Sequence, residues 1–186
     1  DVCSSDLEQK RLNRRAAYRQ TFRGTAAVLI VVAAISVLVA TLWMPVLQIY
    51  GSSMSPTLER GQIVISVKNK HLKTGDIVAF WQGNKLLVKR VIAGPGQWVD
   101  IDASGVVTVD GQTIDEPYLK EVSLGNCDIE LPHQVAESHW FFMGDNRATS
   151  VDSRTASIGD VSEDQIEGQI VFRIWPLNVA GSMRQN

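Results

Sequence analysis

The chain has 186 residues, a formal net charge of −2 and two cysteines, Cys3 and Cys127. That length allows one compact domain with an appendage. The charge gives no reason to expect nucleic acid, and two distant cysteines without a histidine at ligand spacing argue against a disulfide framework or a metal site; no cofactor is expected.

In chain order, the opening "DVCSSDL" lacks an initiator Met, and one reverse translation matches the end of a sequencing adapter. Residues 1–7 are therefore read as an assembly remnant and left out of fold reasoning. Residues 1–24 form a basic segment, with Lys10, Arg11, Arg14, Arg15, Arg19 and Arg23 all ahead of an apolar run. Residues 26–42, "AAVLIVVAAISVLVATL", carry no charge, and extension to Leu47 gives 22 residues. As a helix that is about 33 Å, enough to cross a bilayer core of about 30 Å. The sequence thus predicts a transmembrane helix over 25–47. The run is too long for a typical leader and Trp43-Met44-Pro45 is a poor cleavage site, whereas Trp43 suits an interfacial belt. The basic flank places the N-terminus in the cytoplasm and residues 48–186 on the outer face of the cytoplasmic membrane.

The remainder predicts a mainly β fold, a compact antiparallel β domain behind one N-terminal membrane helix. "QIVISVKN", "DIVAFWQ", "KLLVKRVIA", "WVDIDA", "VVTVDG" and "QIVFRIWPL" are short runs rich in Val and Ile, several alternating apolar with polar residues. Asp110-Gly111 between two such runs signals a hairpin. A short insertion is expected around 95–138, mobile over 119–138, and one helical turn near 163–167.

Three stretches carry chemistry: "GSSMSPTL" (51–58), "KLLVKRVIAGPGQ" (85–97) and "GDNRATSVDSR" (144–154). A serine hydroxyl is a weak nucleophile until a base takes its proton. His71, His133 and His139 lie outside these stretches, none beside a plausible Asp. The basic candidate is Lys89, apolar on both sides in "LLVKRVI". Burial of such a lysine lowers its pKa, as a general base needs near neutral pH. A lone strand lysine more often faces solvent, and a loop like "DNRATSVDSR" alone reads as polar surface; their company with the serine turn favours the other reading.

Taken in order behind an apolar helix, the three stretches resemble the successive boxes of type I signal peptidases, membrane-anchored serine proteases with a Ser/Lys dyad. The resemblance runs from the helix to about Leu177. It implies that Ser53, directly before Met54, is the nucleophile and Lys89 the general base, with Ser150 orienting the amine. The Ser53 N–H would serve the oxyanion hole. Gly51 stands where some members carry a further hydroxyl donor, so another group must replace it. Ile49, Met54, Leu58, Ala79, Leu86 and Val88 match substrate-pocket positions, and Arg90, Asp145, Arg147, Asp152 and Arg154 a structural charge network in which Arg90 pairs with Asp145. The implied partners are preprotein signal peptides, cut after an Ala-x-Ala pattern, and the lipid bilayer. Ser53 lies about ten residues past the helix, a reach of roughly 35 Å, so the site stays near lipid. The rival readings are a related Ser/Lys peptidase of a conjugation system and a non-catalytic membrane-tethered binding module. The sequence sets no oligomeric state.

Overall fold

The computed structural model describes residues 22–38, 44–69 and 71–183, with a division into two units between Trp43 and Met44. In the first unit, residues 22–38 are helical. Val28, Leu29, Ile30, Val31, Val32, Ile35, Val37 and Leu38 are all exposed, and the Ser36 hydroxyl donates to the Val32 carbonyl one turn back. Among the described residues no helix is long and apolar enough to cross a membrane; residues 39–43 of the expected span lie outside them.

The expected span also ends too late. Val46 and Leu47, assigned above to its last turn, belong to the first strand, β1 (Val46–Gln48). Pro45 donates no backbone hydrogen bond, and its carbonyl instead accepts from the Ser66 amide. Val46 and Leu47 then pair with Ile65 and Val64. The β unit therefore begins upstream of residue 48.

The strands continue as β2 (Ile63–Val67), β3 (Ile77–Gln82), β4 (Lys85–Ala93), β5 (Trp98–Ile101), β6 (Val107–Val109), β7 (Gln112–Thr113), β8 (His133–Gln134), β9 (His139–Met143), β10 (Val161–Ser162), β11 (Ile166–Trp175) and β12 (Gly181–Ser182). One sheet runs β1-β2-β11-β3-β4-β9-β10, with β12 beside β11; a second runs β7-β6-β5-β8. Every pairing is antiparallel. The expected hairpin forms: Asp110 and Gly111 both take positive φ (51° and 77°) between β6 and β7, as a tight two-residue turn requires. A short 3₁₀ turn occupies Glu163–Gln165.

Among the described residues three apolar cores support these sheets. The second sheet packs through Val99, Ile101, Val107 and Val109 on Ile92, Ala93, Phe141 and Met143. Phe80 and Phe142 stack in another core, their centroids 4.8 Å apart. The third holds Ile49, Met54, Leu58, Val64, Ile77, Ala79 and Ile170. The stretch 119–138, expected to be mobile, is tied down. Leu124, Ile129 and Leu131 pack on the first core, and Asp128 bonds the backbone of Arg154 and Ala156. These anchors follow no helix or strand period.

Candidate active site

The serine turn is fixed from beneath. The Ile49 amide donates to the Gln62 carbonyl, carrying the chain from β1 into the turn, and within it Ser55 N–H bonds Ser52 O and Leu58 N–H bonds Met54 O. Met54 and Leu58 are buried, so these two side chains grip the core while Ser53 stays half-buried beside them. Ser53 lines a cleft of about 460 Å³ with Ile49, Gly51, Met54, Leu86 and Val88. Leu58 and Ala79, two of the expected pocket residues, do not line it: both are fully buried in the core below. Gly51 lines the cleft, yet a Cβ there would meet nothing nearer than the Ser53 amide at 4.0 Å. Nothing in the free protein demands glycine at that position.

Lys89 sits on β4 opposite Val78 and is only 3% exposed. Burial lowers its pKa to about 8; Asp152 and Asp145 oppose the shift and Arg154 adds to it. The amine donates to the Ser150 hydroxyl at 3.0 Å. Successive strand residues point to opposite faces, and the adjacent Arg90 reaches a different part of the same loop. Its Nε and Nη2 donate to the two oxygens of Asp145 at 2.8 and 2.6 Å, the expected pair in fork geometry.

The loop 144–155 is held at almost every residue. Asp152 accepts from the Gly144 amide and from Nε and Nη2 of Arg154. Arg154 also donates to the carbonyls of Leu124 and Arg147, and Ser153 exchanges bonds with the Phe142 backbone. Arg147, expected in the charge network without a named partner, forms a buried ion pair with Glu116. The predicted loop residues thus come together, and the loop is rigid rather than a solvated surface turn.

Among the described residues three hydrogen bonds join this loop to the serine turn, one of them from the Asn146 side-chain nitrogen to the Ser52 carbonyl at 3.4 Å. The Asn146 amide donates to the Ser53 carbonyl at 2.9 Å, and the Thr57 hydroxyl donates to Asp145 at 2.5 Å. Gly144 lies at the junction. A Cβ on it would fall 2.5 Å from the Ser53 carbonyl oxygen and 2.7 Å from the Ser150 Cβ, so only glycine lets the serine turn and the Ser150 hydroxyl approach. Among the described residues no hydrogen bond joins the Ser53 hydroxyl to Lys89; the amine is engaged by Ser150.

Sequence reasoning missed Gly144, Thr57, Glu116 and Tyr118. The first two stood inside quoted motifs without a role of their own; Glu116 and Tyr118 carried no local signal. The structure also corrects one histidine. His133 does have an acidic partner: its Nε2 lies 2.8 Å from Asp160, whose other oxygen accepts from the Ala136 amide. This pair ties β8 to the approach to β10, apart from the serine and lysine. Cys127 is a free, half-buried thiol.

The small antiparallel β domain thus gathers a serine turn, a buried lysine and a charged loop, and the similarities of the chain define its class as a peptidase. The family model for signal peptidase, peptidase S26, matches residues 22–175. Signal peptidase IB of Staphylococcus aureus is 35% identical over 150 residues, covering 70% of this chain and 77% of that protein. Signal peptidase I of Bacillus amyloliquefaciens is 31% identical over 164 residues, 82% of this chain and 88% of that one. The crystal structure of a signal peptidase I from Enterococcus faecalis V583 aligns with a TM-score of 0.44 at 26% identity, covering 54% of this chain and 97% of that one. The chain belongs to the signal peptidase family, peptidase S26.

Proposed function

We propose that this chain is a signal peptidase I that removes signal peptides from exported preproteins, with Ser53 as nucleophile and Lys89 as general base. The observation that carries the reading is the buried Lys89 amine, its pKa lowered to about 8, held by Ser150 beneath a loop bonded to the backbone of Ser53. Lys89 takes the Ser53 proton as Oγ attacks the scissile carbonyl carbon. The oxyanion accepts from the Ser53 N–H. The lysine then protonates the departing amine, leaving an acyl-enzyme that water, deprotonated by Lys89, hydrolyses. The amine must turn from Ser150 toward Ser53 when substrate binds; catalytic hydrogen bonds commonly tighten only in that complex.

The cleft supports an extended substrate. β1 is an edge strand, and β9 pairs with β4 only from Arg90 to Ala93. The stretch Leu86–Val88 therefore has one side free, and it lines the cleft opposite Val46–Gln48. A peptide between these edges gains main-chain hydrogen bonds, tolerant of sequence, while Ile49, Leu86 and Val88 select small apolar side chains.

Membrane anchorage belongs to the same reading. The uncharged run 26–42 behind a basic segment fits a single-pass anchor with the N-terminus in the cytoplasm and the β unit outside. The β unit also exposes an apolar row. Val46, Ile65 and Phe172 stand in register across three strands, and Trp175 and Leu177 are exposed beyond them. Such a face suits contact with lipid. The test of the reading is cleavage of a preprotein by the full chain in detergent or vesicles: a mature product of the expected size for wild type and none for Ser53→Ala. Equal cleavage by both would refute it.

A further inference from the structure

Arg90 and Arg147 fix the two residues on which the site turns. Arg90 clamps Asp145. Arg147 donates from Nε to the carbonyl of Gly144 at 3.2 Å, the residue wedged between the Ser53 carbonyl and Ser150. Both arginines are buried, and a buried guanidinium left without its partner is strongly destabilising. Asp145 balances one charge. The other balance comes from far away in sequence, from the segment that follows β7.

Glu116 pairs with Arg147, accepting from Nη1 at 2.9 Å and also from Nη2. Tyr118 places its ring over Arg90, with Cζ 3.6 Å from the ring centroid, and its hydroxyl donates to Glu116 at 2.7 Å. Burial, reinforced by Glu116, raises the Tyr118 pKa well above its ordinary value, so this hydroxyl stays protonated and remains a donor. Glu116 and Tyr118 thus form one bonded unit touching both arginines. The flat ring favours one orientation of a guanidinium, and a cation over an aromatic face gains most where water is excluded.

The structure assigns Glu116 and Tyr118 a positioning role: by holding Arg147 and Arg90 they fix Gly144 and Asp145, and through them the placement of Ser53, Ser150 and Lys89. The inference rests on the Ser53/Lys89 reading. Neither residue touches the reacting atoms. The charged groups around the Lys89 amine are Asp145, Asp152 and Arg154. Loosening Arg90 leaves the Asp145 charge less compensated, which favours the charged lysine and moves its titration to higher pH.

The test uses the full chain in detergent micelles and an internally quenched peptide bearing Ala-x-Ala, with kcat and KM measured across pH for Tyr118→Leu, Tyr118→Phe, Glu116→Gln and the control Ser53→Ala. Tyr118→Leu and Glu116→Gln are expected to lose about tenfold in kcat with KM little changed, and Tyr118→Leu, which frees Arg90, to shift the rising limb of the pH profile to higher pH. Tyr118→Phe, which keeps the ring over Arg90, recovers most of the loss. Tyr118→Leu and Glu116→Gln enzymes with wild-type kcat, and an unmoved limb in Tyr118→Leu, even at a lower melting temperature, overturn the proposal; the nearly isosteric Glu116→Gln decides alone, by its kcat, should Tyr118→Leu not fold. An active Ser53→Ala would overturn the dyad reading and the brace with it. An inactive Ser53→Ala beside unimpaired brace variants overturns the brace alone.

Discussion

A lysine amine almost wholly removed from water holds its proton less tightly than one in solvent. For Lys89 the folded-state pKa falls from 10.5 to about 8, so below pH 8 the fold carries the cost of a buried charge. The unfolded chain binds the extra proton between about pH 8 and 10.5, and the cost fades as pH rises through that window. Lys89→Met removes it. The variant should be inactive yet more stable at neutral pH by up to about 3 kcal/mol, with the gap closing above pH 10; denaturant titration at several pH values checks this. Gly144 is the counterpart, a residue acting by what it lacks. Gly144→Ala forces a methyl against the Ser53 carbonyl and Ser150. It should lose at least about a hundredfold in kcat while the far-ultraviolet spectrum stays native; full activity in the Gly144→Ala variant would show that the junction yields freely.

The site is assembled from elements distant in sequence. The turn after β1, the middle of β4 and the loop after β9 meet through Asn146 to Ser53, Thr57 to Asp145 and Arg90 to Asp145. Cutting a buried pair leaves its partner unbalanced, so Asp145→Ala should cost about 3–5 kcal/mol of stability, measurable by urea unfolding. How much of this was legible depended on range. Short-range rules worked: the Val/Ile runs appear as strands and Asp110-Gly111 as the hairpin turn, because alternation and positive φ are local demands. The three boxes located the serine, the lysine and the loop. The end of the apolar helix was misjudged because Val46 and Leu47 suit a helix and a strand equally, and only pairing with β2 decides. The pinning of 119–138, the His133–Asp160 pair and the Glu116–Tyr118 unit depend on partners brought in by the fold, for which the sequence has no period.

At the scale of the molecule, the proposed membrane reading assigns the exposed row Val46, Phe172, Trp175 and Leu177 a contact with lipid in addition to the anchor. A fragment starting at Met44 should partition into anionic and neutral vesicles alike, and the pair Phe172→Ser with Trp175→Ser should weaken this by at least about tenfold; sedimentation with vesicles measures it, and unchanged binding would place the contact elsewhere. The account as a whole stands on the neutral Lys89 amine, and the pH dependence of kcat/KM for peptide cleavage tests that most directly. The account predicts activity that rises with pH through a single apparent pKa near 8 and then levels off. A profile that stays flat from about pH 5 to 10 would contradict it.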